Sequence, residues 1–153
     1  MHTQRTRHHH HVNLRLERWH RRWIYAIFAV LTLSGIAWLV ARHWLRPVTE
    51  FGESIHPLEP ISMKVHGGMA MLMLFFLGSL MNAHIRRALK AGRNRLTGWS
   101  MIVTMLALIG SGFGLYYLAG EADRVIWSTV HWVIGLAVAL LFIAHVKLGR
   151  LRT

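Results

Sequence analysis

Cysteine is missing from this 153-residue chain altogether, and acidic residues number only six. The first absence excludes disulfides, iron–sulfur clusters and covalently attached haem c, all of which need a thiol. The second leaves a formal charge of +12, which in a soluble protein would point to nucleic acid. Charge of either sign is itself scarce, at 16% against 54% hydrophobic residues. Soluble domains carry about 25% charged residues, so the expected solvent is a membrane. Proline is also rare, with three in all, and these fall together between residues 47 and 60.

Four long uncharged runs stand against these absences: Trp23–Ala41, Val65–Ile85, about Leu96–Ala119, and Val125–Val146. Each approaches or exceeds the ~20 apolar residues that cross a bilayer as a helix. Trp19, Trp23, Trp38 and Trp44 flank the first run in the manner of an interfacial aromatic belt. The prolines Pro47, Pro57 and Pro60 with Glu50, Glu53 and Glu59 mark the first connection as an exposed loop, with room for a short surface helix. Basic and acidic turns, RRALKAGRNR and GEADR, separate the remaining runs. The sequence therefore predicts an all-α transmembrane four-helix bundle over residues 19–153. A basic, histidine-rich cytoplasmic arm, residues 1–18, precedes it and contains the run His8–His11.

The positive charge is one-sided. The arm, the second connection and the tail hold fourteen Lys/Arg against one acid, whereas the first and third connections hold four against five. The positive-inside rule then puts both termini in the cytoplasm and the first and third connections outside. The basic excess is assigned to topology and anionic headgroups, with no nucleic acid as partner. No cleavable signal is expected, because the first apolar run has full spanning length and follows a polar, basic start. The expected location is a bacterial inner membrane.

Twelve histidines are the only strong ligands for a borderline metal in a chain without thiolate. His131 and His145 lie fourteen residues apart on the fourth run. On a helix that spacing leaves them within roughly 40° of one face and ~21 Å apart, one toward each leaflet. Such a helix suits two haems stacked across a membrane, each iron taking one more imidazole from another helix. Counted from the outer charged boundaries, His66 lies two residues in and His131 seven, so both sit toward the outer leaflet and form the outer pair. His20 and His84 both match His145 to within about 3 Å, so spacing alone leaves two inner partners open. Gly35, fifteen residues beyond His20, falls level with the outer site and leaves room for a bulky group. His43 and His56 read as surface residues, and Met63, Met69, Met71, Met73 and Met81 as lipid-facing or core filler.

The segment WHRRWIYAIFAVLTLSGI, the histidine near the outer end of the second run, and HWVIGLAVALLFIAHV together resemble the four-helix di-haem cytochrome b family. That family includes bacterial cytochrome b561 and the membrane subunits of respiratory formate dehydrogenases and nickel–iron hydrogenases. The resemblance covers roughly residues 18 to 148. It implies two haem b groups, the outer one held by His66 and His131 and the inner one by His20 and His145. It implies that Arg21 and Arg22, or Arg86 and Arg87, pair with inner haem propionates. His84 and Asn82 would then be spare intramembrane polar groups for quinone binding or proton uptake.

The function so implied is electron transfer between a periplasmic redox partner, a dehydrogenase or cytochrome c, and quinone. The chain would act as the membrane subunit of a respiratory oxidoreductase rather than as a self-contained enzyme. A stand-alone superoxide:ubiquinone oxidoreductase of the b561 type is the second expectation. Attraction of an anion to outer loops holding more acids than bases speaks against it. A haem-free membrane protein that handles copper or zinc is the third.

Overall fold

The computed structural model describes residues 17–91 and 95–151. The His8–His11 run and nearly all of the expected arm lie outside the described residues. Helix α1 runs from Arg18 to Trp44, α2 from Leu58 to Leu80, α4 from Arg95 to Tyr117 and α5 from Arg124 to Leu151, with a six-residue α3 over Arg86–Ala91. Four of these helices, α1, α2, α4 and α5, are long and apolar enough to cross a membrane. Hydrocarbon offers no partner for free N–H and C=O groups, so such runs close their hydrogen bonds along their own helix.

The helices outrun the apolar segments at several ends. α1 begins at Arg18 and α5 continues through Lys147 and Arg150, because no proline or turn signal interrupts those charged ends. α2 starts seven residues before Val65. Pro60 falls within its first turn, where a missing N–H costs no hydrogen bond. His66, expected very near the surface, therefore stands more than two turns inside its helix.

The first connection is the exposed loop expected there, and a short hairpin takes the place of the surface helix it had room for. It forms a two-stranded antiparallel hairpin, β1 (Val48–Thr49) and β2 (Gly52–Glu53), with Val48 opposite Glu53 and Thr49 opposite Gly52. Gly52 has φ 100°, a conformation that a side chain disfavours, and this turns the chain within Glu50–Phe51. Phe51 at its tip is 99% exposed. Arg46 ties the connection to α2 by two hydrogen bonds of 2.8 Å to the buried Glu59 carboxylate. This bidentate pairing holds the guanidinium charged and raises its pKa.

Two helical hairpins result. α1 packs along α2 and α4 along α5, and the hairpins meet chiefly where α1 touches α5. A small apolar core sits at that junction: Ile24, Ile27 and Phe28 of α1, Met73 and Phe76 of α2, and Val138 of α5. Phe28 stacks on Phe142 at 4.2 Å between ring centres. Elsewhere large apolar side chains lie open, among them Leu33, Phe75, Leu106 and Leu140. This is the pattern of helices whose outer faces meet lipid rather than water.

Candidate metal centre: two imidazole couples between the hairpins

His66 on α2 and His131 on α5 face each other with ring centres 6.3 Å apart and planes inclined at 75°. Each is tethered by a hydroxyl on the preceding helix of its own hairpin. His66 Nδ1 lies 3.0 Å from Ser34 Oγ and 3.1 Å from the Leu31 carbonyl on α1. His131 Nδ1 lies 2.8 Å from Ser111 Oγ on α4. Beside each serine is a glycine against the same ring. A Cβ on Gly35 would stand 3.5 Å from His66 Cε1, and one on Gly112 would stand 3.4 Å from His131 Cε1.

Eighteen residues after His66 comes His84. The chain leaves α2 through a π-turn over Met81–Ile85 that carries His84. Such wider turns are rare and are often found at functional sites. His84 meets His145 of α5 with ring centres 6.4 Å apart and planes at 90°. His145 Nδ1 lies 3.1 Å from Thr97 Oγ1 on α4. One couple is therefore built by α2 and α5, and the other by α5 and the π-turn that follows α2.

His20, which the resemblance assigns opposite His145, is held elsewhere. Its Nε2 lies 2.9 Å from Ser79 Oγ on α2, and its ring packs on Trp19 and Phe76. Ser79 Oγ also lies 2.7 Å from the Phe76 carbonyl. The imidazole beside His145 belongs to His84. Arg21 and Arg22 occupy the first turn of α1 with exposed side chains, and Arg86 and Arg87 are exposed after the π-turn. The Asn82 side chain lies outside the described residues. His43 is exposed against Trp44, and His56 Nδ1 accepts the Leu58 N–H at the start of α2, so both are surface residues. Met73 is core and Met71 is exposed, in keeping with filler.

The donor set discriminates between metals. Among the described residues, no group of three or more His, Asp or Glu is placed to hold an ion. Bare zinc wants four protein or water ligands in a tetrahedron, and a pair of imidazoles supplies half of them. Haem brings its own four equatorial nitrogens and asks the protein for two axial ones. Two imidazoles that share one metal, each bound at ~2.0 Å, have ring centres on the order of 6 Å apart. Both couples match that spacing. The residues present therefore fit a bis-imidazole haem.

The serines and the threonine were not among the candidate residues in the sequence, although a signal existed. Ser34–Gly35 on α1 and Ser111–Gly112 on α4 repeat the same pair, and Thr97 precedes Ser111 by the same fourteen residues that separate His131 from His145. Compared with known proteins, the chain matches no family model, no curated protein and no solved structure.

Proposed function

We propose that this chain is a membrane cytochrome of the b type, with one haem held at each imidazole couple. More particularly, it carries electrons between a redox partner at the outer face, a dehydrogenase or cytochrome c, and the quinone pool, with both termini in the cytoplasm of a bacterial cell. The observation that carries this reading is the pair of ring separations, 6.3 and 6.4 Å, that α5 makes with His66 of α2 and with His84 of the π-turn after it.

Haem bound by two imidazoles supplies a one-electron couple with no open coordination position. The chain's own part is to hold four rings at fixed depth and to keep water from them. His66 and His131 form the outer station. His84 and His145 form the inner one, which differs from the assignment of His20 that the family resemblance implies. Arg21 and Arg22 lie at the inner end of α1, within the level where propionates would emerge. His20, held off the inner couple, remains as a polar group for the protons that quinone reduction consumes. A stand-alone superoxide oxidase is less favoured, because the outer bases are few and Arg46 is already neutralised by Glu59.

The test is haem stoichiometry. Protein purified from membranes should give a pyridine haemochrome spectrum of haem b with two haems per chain. His131→Ala and His145→Ala should each lower that ratio by about half. A colourless protein, or loss of both haems from either change while the chain stays folded in the membrane, would refute the two-station layout.

A further inference from the structure

We infer that Ser34 and Ser111 are positioning residues that lock His66 and His131 into one tautomer, with Gly35 and Gly112 clearing the ring edges beside them. The hydrogen bookkeeping decides this. Ser34 Oγ lies 3.0 Å from the Leu31 carbonyl, and Ser111 Oγ lies 3.2 Å from the Leu108 carbonyl. A carbonyl only accepts, so each hydroxyl spends its one hydrogen there and turns lone pairs toward the imidazole. His66 Nδ1 faces a second acceptor as well, the Leu31 carbonyl. Both Nδ1 atoms therefore carry the proton, and in the neutral ring both Nε2 atoms carry a lone pair.

Two imidazoles in that state have no Nε2 hydrogen to share between their rings, whose centres stand 6.3 Å apart. The hydroxyls thus prepare the couple for a metal before any metal arrives, and a donor bond from Nδ1–H makes each ring a stronger ligand. The same device occurs twice, on α1 and on α4, with the same i−3 carbonyl, the same following glycine and the same ring corner. That recurrence in separate hairpins argues against ordinary helix packing as its cause.

The inference rests on the haem reading for what the couple binds, but the tautomer is readable without it. The two serines are unequal in a way that sharpens the test. Removing the Ser34 hydroxyl leaves the Leu31 carbonyl at 3.1 Å, whereas removing that of Ser111 takes away the acceptor at 2.8 Å from His131. Full-length protein labelled with 15N at histidine, held in lipid nanodiscs as purified, should show Nδ1–H signals from both outer rings.

In Ser111→Ala, exchange of the His131 Nδ1 proton with water should quicken by tenfold or more. Release of the outer haem should quicken about 10- to 100-fold, in line with losses of supporting hydrogen bonds at other metal sites, and its reduction potential should rise. Ser34→Ala should do the same more weakly, and Ser111→Thr should restore the wild-type values. An Nε2–H tautomer in the wild type, or unchanged exchange and unchanged potential in Ser111→Ala, overturns the inference. Protein without haem whose Nδ1 protection still depends on Ser111 keeps the inference and removes the electron-carrier reading.

Discussion

The choice between His84 and His20 turns on which ring stands beside His145. His20 lies with Nε2 2.9 Å from Ser79 Oγ and packs its ring on Phe76. His84 already stands 6.4 Å from His145. We therefore expect His84→Ala to lower haem content to about one per chain with the outer haem's spectrum retained, and His20→Ala to leave two. The reverse result, read by haemochrome assay and low-temperature difference spectra, would restore the assignment that the family resemblance implies. The four histidines on α2, the π-turn and α5 were visible in the sequence by depth alone. What depth does not show is rotation about the helix axis, which the π-turn at Met81–Ile85 resets for His84.

At the scale of the helix, the run Gly110, Gly112 and Gly114 on α4 divides into three jobs. Gly110 faces open space, Gly112 lies against His131, and Gly114 admits the Trp127 ring of α5. Trp127 is further pinned by its Nε1–H to Asp123 in the turn, at 3.1 Å. A Cβ on Gly114 would run into that ring, so Gly114→Ala should separate the outer ends of α4 and α5. An overpacked contact of this kind costs about 1–3 kcal/mol. A lower thermal midpoint and loss of the outer haem before the inner one should follow. Gly110→Ala should change neither and serves as the control. The boundaries of the spans were legible from apolar runs, but the first connection was not. Its prolines and acids say loop, whereas the β-hairpin depends on Gly52 taking a positive φ and on Arg46 reaching Glu59 thirteen residues away.

Over the whole molecule, four membrane-length helices were readable from composition, and the one-sided distribution of basic residues supplied an orientation that the fold itself does not fix. Because the chain has no cysteine, that orientation can be read cleanly. Phe51→Cys, at the fully open hairpin tip, should react with an impermeant maleimide added outside intact cells, and Arg150→Cys only after lysis. Labelling of both from one side would discard the four-span topology. What no sequence pattern announced is how little the two hairpins touch. Apolar residues facing lipid and apolar residues facing another helix look alike in a chain that has few of any other kind.

That sparse junction bears on biogenesis. A protein whose halves adhere mainly through α1 and α5 can be threaded into the bilayer one hairpin at a time and left ajar there, its imidazoles already oriented across an open seam. With haem at the two couples as proposed, porphyrin supply rather than translation would set the moment at which the halves are riveted together, and cells starved of iron would accumulate a parked, colourless precursor in the membrane.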